Sequence, residues 1–206
     1  MKKRKFRKRV FLIIILVILA IGCYYVGKKI YKKVNTFNVK VVDKIDNYPY
    51  TLDDRDTELF KSNYNDLKNV LNKSEIDEET YAKLVAKLFV IDLYTMSNKV
   101  NKYDIGGLDY VLPSAKENYQ LKVQDTMYKY IIDNTNKKRN QELPEVSSIE
   151  ASSISDIDFV MGKENIKGYK VELTWDYIKD LGYDKKGSAI IIKDNNILYV
   201  AEYTNE

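Results

Sequence analysis

Two aspartates stand where the sequence leaves a carboxylate least water. Asp92 interrupts the apolar run of residues 88–96, and Asp125 falls on the same side of a helical stretch as Leu121, Tyr128 and Ile132. A carboxylate facing a core is desolvated, its pKa rises, and it can then take or give a proton near neutrality. The plainer role is the favoured one at both positions: a hydrogen bond to a neighbouring tyrosine, or a place on a helix rim. Other chemistry is narrowly bounded. The 206 residues contain no histidine and a single cysteine, Cys23, which excludes Ser/His/Asp and Cys/His catalytic sets, His- or Cys-clustered zinc and any internal disulfide. The acid-rich residues 43–58 include Asp53, Asp54 and Asp56 but lack the glycine and terminal glutamate of a calcium loop, so they read as a solvated, helix-capping segment. Gly106-Gly107 is not followed by the further glycines or Lys-Ser/Thr of a phosphate loop. No metal, no cofactor and no catalytic residue are expected.

The elements that would hold these residues follow from periodicity. Phe37, Val39 and Val41 alternate with polar neighbours as in a short strand. Phe60, Tyr64, Leu67 and Leu71 fall on one face of a helix over residues 56–72, and a second helix over 77–97 is apolar around most of its circumference, the mark of a core helix. Gly106-Gly107 marks a turn, and Leu108, Tyr110 and Leu112 alternate after it as a short strand that Pro113 stops. Ser114 and Glu117 fit a capping box opening a third helix over 114–134, with a broad apolar face; a polar connector of residues 135–144 follows. The period then changes to two, in residues 146–154, 157–161, 169–177, 188–193 and 197–203. Asn195-Asn196 supplies residues that tolerate the positive φ of a tight hairpin turn. Helices segregated from a terminal antiparallel meander make an α+β domain.

Ahead of this domain, residues 10–27 carry no charge, and 18 residues of helix span roughly 27 Å, close to a bilayer core of about 30 Å. Residues 1–40 hold 12 Lys/Arg and no acid, which leaves 22 basic against 30 acidic residues in 41–206, a body of net charge −8. The positive-inside bias puts a basic leader, residues 1–9, in the cytoplasm, residues 10–27 across the cell membrane in a single pass, 28–55 as a membrane-proximal linker and 56–206 outside. The acidic body gives no basic face for displacing counterions from phosphate, so nucleic acid is not an expected partner. Leu19-Ala20-Ile21-Gly22-Cys23 also resembles a lipoprotein signal, in which Cys23 would be lipidated after cleavage.

The order of elements over residues 56–203, with its terminal meander, resembles the nuclear transport factor two-like (cystatin-like roll) superfamily, whose bent sheet curls over a helix as a cone. With one N-terminal spanning helix, the layout resembles the bitopic assembly-factor subunit of type IV secretion and conjugation machines. The resemblance implies three helices packed on the sheet and a pocket opening between the two layers. Asp92, Tyr110, Asp125, Tyr130 and Trp175 are the residues expected to line it if it is a site, the plainer and favoured reading being that the aromatics are core. The expected function is that of an extracytoplasmic interaction or scaffold domain, not an enzyme. Its expected partners are the bilayer and other envelope proteins, with a homo-oligomer compatible. The alternative is a ligand-binding pocket protein or an acid/base enzyme built on Asp92 or Asp125.

Overall fold

The computed structural model describes residues 39–205, together with Val17, Ile21, Gly22, Tyr24 and Tyr25, which are helical. The chain divides into two compact units, Met1–Asn38 and Val39–Glu206. The expected spanning segment at residues 10–27 and the expected lipidation site Cys23 lie, but for those five residues, outside the described residues. Among the described residues no helix is long and apolar enough to cross a membrane.

The second unit is α+β, with three helices and a four-stranded antiparallel sheet. Helix α1 (Glu58–Leu71) starts at Thr57, whose side chain accepts the Phe60 N–H, and buries Phe60, Tyr64, Leu67 and Leu71. Helix α2 (Glu78–Tyr94) starts at Asp77, which accepts both the N–H and the hydroxyl of Thr80. Its buried residues run all round it, from Tyr81 to Tyr94, so it is the central helix of the domain.

Helix α3 departs from expectation. It runs only over Lys116–Asp125, after a 3₁₀ turn at Pro113–Ala115, and no side chain caps it. Pro113 opens the turn, the Ala115 N–H donates to the Leu112 carbonyl, and the Ser114–Glu117 capping box does not form. The helix ends at Thr126, whose hydroxyl turns back on the Lys122 carbonyl at 2.6 Å in competition with the backbone. Only Val123 of α3 is buried, while Leu121, Tyr130 and Ile132 are exposed. The expected apolar face is therefore kept in part: Tyr119, Val123, Met127, Tyr128 and Ile131 pack on the core from α3 and the turns after it, while Leu121, Tyr130 and Ile132 do not.

Strands β3 (Val146–Met161), β4 (Glu164–Tyr177), β5 (Lys186–Asp194) and β6 (Ile197–Asn205) pair in chain order. β3 is one continuous strand where two were expected, with register shifts at Val146/Ser148 and Ala151/Ser153 that bend it without breaking the pairing. β5 covers β4 only between Gly168 and Thr174, so Asp158–Met161 and Glu164–Lys167 continue as a two-stranded arm. Asn195 and Asn196 hold φ of 49° and 66°, as the β5–β6 hairpin requires.

The inward row of β4 is Val171, Leu173, Trp175 and Tyr177. The Trp175 ring lies 4.9 Å from that of Tyr94 on α2, and its indole N–H donates to the Tyr177 hydroxyl at 2.8 Å. The expected strand at Leu108–Leu112 is reduced to one parallel bridge, Val111 to Val200, with the Leu112 N–H donating to the Val200 carbonyl and the Val200 N–H to that of Tyr110.

A small ribbon, β1 (Val41–Lys44) and β2 (Thr51–Asp53), precedes α1. It belongs to the compact unit through Ile45 and Tyr50, which are buried. Tyr50 stacks on Tyr48 and on Tyr110, and its hydroxyl meets the Tyr81 hydroxyl at 2.7 Å and the Leu198 carbonyl at 2.5 Å. Ile45, Tyr48, Tyr50 and Leu52, assigned by sequence to the membrane-proximal linker, are thus packed on the core, while Val41 and Val42 of β1 are exposed.

Candidate functional site

The end of β2, the start of α1, the last turns of α2 and the loop after it converge on a cleft of about 210 Å³. It gathers five carboxylates, Asp53, Asp56, Asp92, Asp104 and Asp109, with two cations, Arg55 and Lys99. Such a density of half-buried charge requires internal pairing, since desolvating an ion costs several kcal/mol.

The pairing is specific. Lys99, 5% exposed, places its ammonium 2.5 Å from Asp92 Oδ1. The other Asp92 oxygen accepts the Gly107 N–H at 2.6 Å. That contact depends on the Gly-Gly turn, because Gly107 has φ of 82° and a Cβ on Gly106 would stand 2.0 Å from the Asp92 carbonyl oxygen. Arg55 reaches Asp104 at 2.5 Å and Asp53 at 3.2 Å, and Asp104 also accepts the Val100 N–H at 2.8 Å. Asp109 Oδ2 accepts the Thr51 hydroxyl at 2.6 Å and the Thr51 N–H at 3.2 Å. Asp56 Oδ2 accepts the Asp53 N–H at 2.7 Å.

The electrostatics follow from burial and company. Burial opposes the charge on Lys99, but Asp92 and Asp104 outweigh it and hold the ammonium above its ordinary pKa. Arg55 is likewise held above its ordinary value, against burial, by Asp104 and Asp53. Asp56 is pushed the other way: burial first, then repulsion from Asp53 and Asp92, raises its carboxyl to about 7 against the Asp53 N–H bond. Burial raises Asp109 too, in spite of Thr51 and the nearby Lys116.

The Tyr110 hydroxyl completes the site. Tyr110 is 1% exposed, lines the cleft and has no hydrogen-bond partner for its hydroxyl. Its pKa is driven well up by burial and then by the charges of Asp92, Asp109 and Asp56, the carboxylates around it. No family model, curated protein or solved structure matches the chain.

Of the five residues singled out by sequence, Asp92 and Tyr110 meet in this cleft. Asp125 and Tyr130 are exposed on and after α3, where the early helix end turns them to solvent. Trp175 is in the core on Tyr94, outside the cleft. Arg55, Asp56, Lys99, Asp104 and Asp109 belong to the site and were not singled out for it. The reading of residues 43–58 as a solvated segment is corrected for Asp53 and Asp56, which the cleft half-buries, and holds for Asp54, which is exposed. A second, mostly apolar cavity of about 520 Å³ opens between α2, α3 and β6, walled by Leu93, Tyr119, Val123, Met127 and Tyr203.

Proposed function

We propose that the chain is a single-pass, membrane-anchored domain that works outside the cytoplasm by binding other envelope proteins. The observation that carries this reading is the charge pattern of the first 40 residues: 12 Lys/Arg, no acid, and an uncharged run at 10–27, followed by a body of net charge −8. A body of that sign offers no basic face for nucleic acid. The order of three helices and a four-stranded meander supports a cone-like roll, the kind of outer domain carried by assembly-factor subunits of secretion and conjugation machines. The outer edge of β3, 16 residues long and paired only to β4, is one backbone surface on which a partner strand could add.

Protease added to intact cells should digest a C-terminally tagged body, and crosslinking in the native membrane should capture envelope proteins. A tag protected until the membrane is opened would reverse the orientation. Mass spectrometry of the mature N-terminus separates the anchors, since an intact Met1 marks the uncleaved helix and a diacylated Cys23 the lipoprotein.

A further inference from the structure

We propose that the charged cleft beside Tyr110 is a binding site for a small primary ammonium compound that also carries an oxygen acceptor, of the size of ethanolamine. This goes beyond the interaction reading and stands without it. Lys99 is committed to Asp92, and Arg55 to Asp53 and Asp104, so both cations are neutralised within the protein. Asp56 and Asp109 each spend one carboxylate oxygen on a backbone or hydroxyl donor and make no ion pair. Even with the Asp56 carboxyl protonated, four carboxylates stand against two cations, and Lys116, acting on Asp109 from α3, offsets only part of the difference. A cation is the complementary charge.

The second, independent observation is the Tyr110 hydroxyl. A buried hydroxyl without a partner forfeits its hydrogen bond, a loss that native structures avoid unless water or a ligand supplies the partner. Tyr110 is fixed by its stack on Tyr50, ring centroids 5.2 Å apart, and cannot swing out to water. It therefore presents a rigid donor toward whatever occupies the cleft. The buried Nε of Arg55 is a second donor without a partner. Unengaged carboxylate oxygens on Asp56 and Asp109 and unengaged donors on Tyr110 and Arg55 line the same cleft, and together they suit a bifunctional ligand, ammonium to the aspartates and oxygen to Tyr110.

A hard metal ion fits less well. Calcium needs six to eight converging oxygens, and among the described residues no three acidic side chains are grouped to hold a metal. The volume, about 210 Å³, lies below the usual range of ligand pockets, about 300–1,000 Å³, and suits a molecule of a few heavy atoms.

The test is calorimetric titration of the full chain in detergent with ethanolamine, beside ethylene glycol, which keeps the hydroxyl and loses the charge, and ethylammonium, which keeps the charge and loses the acceptor. Ethanolamine should bind in the millimolar range, the reach of so small a ligand. Ethylene glycol should give no saturable heat, and ethylammonium should bind more weakly. Asp109→Asn should weaken ethanolamine about tenfold, the scale of one hydrogen bond to a charged group. Tyr110→Phe, which keeps the ring stack, should weaken it without unfolding the protein. Vesicles of phosphatidylethanolamine, set against phosphatidylcholine, tell a lipid headgroup from a free amine: preferential vesicle binding lost in Asp109→Asn marks the headgroup. The proposal fails if ethanolamine gives no saturable heat, if ethylene glycol binds as well, or if folded Asp109→Asn and Tyr110→Phe both retain wild-type affinity, in which case water alone occupies the cleft.

Discussion

At the scale of single residues, Asp56 makes the clearest prediction. Its carboxyl titrates near 7 in the folded protein against 3.8 for a free side chain, so folding favours its protonated form. A group whose folded pKa is raised contributes stability that is present below its unfolded pKa and is lost as pH rises through the folded one. Between about pH 5 and 8 the chain has no histidine to confuse the reading. The urea midpoint should therefore rise as pH falls from about 8 to about 5.5, Asp109 adding in the same direction because burial raises it too. Asp56→Asn keeps an oxygen for the Asp53 N–H and removes the titrating charge; it should flatten most of that slope and be more stable than the wild type at pH 8. A wild-type midpoint independent of pH across this window would overturn the assignment. Below about pH 4 the sign reverses, since Asp43, bound to Lys68, has a lowered pKa and loses that bond on protonation.

At the scale of elements, β4 carries the core through Trp175. Trp175→Ala removes the ring that packs on Tyr94 and the donor that holds the Tyr177 hydroxyl, and should cost about 3–5 kcal/mol of a domain stability of about 5–15. Thermal melting measures it, and a shift of only a degree or two would mean that this row of β4 does not hold the sheet to α2. How much of this was legible in sequence differs from element to element. Thr57 and Asp77 cap α1 and α2 within a residue of the starts that periodicity implied, because caps and amphipathic spacing are local signals. The β5–β6 hairpin was equally local, written in Asn195-Asn196. The apolar spacing of α3 continues past Asp125, but the backbone leaves helical geometry at Thr126, with ψ of −92°, and the Tyr128 N–H then reaches back five residues to the Val123 carbonyl, a change that spacing does not record. The site was half legible: Asp92 was conspicuous as a charge in an apolar run, whereas Lys99, Arg55 and Asp109 look like ordinary surface residues. Arg55 meets Asp104 across 49 positions, and Thr51 meets Asp109 across 58. Only the fold brings such pairs together.

At the scale of the whole molecule, the division at Val39 predicts that residues 39–206 fold without the leader. The isolated fragment should unfold in one cooperative transition, with far-ultraviolet dichroism and intrinsic fluorescence giving the same midpoint. Two separated midpoints would mean that the β1–β2 ribbon and the helices do not share a core with the sheet. The closure of that core has a consequence in time. Tyr50 and Tyr81, near the beginning of the domain, bind the backbone of Leu198, and Tyr110 and Leu112 bind that of Val200. Tyr50 precedes its partner by 148 positions, which at a synthesis rate of about 5–20 residues per second is roughly 7–30 s of waiting. The ribbon can pair within itself early, but a chain halted ahead of Leu198 would leave the Tyr50 and Tyr81 hydroxyls without their backbone partner. Strand β6 is the clasp of the domain, and the core stays incomplete until it has been made.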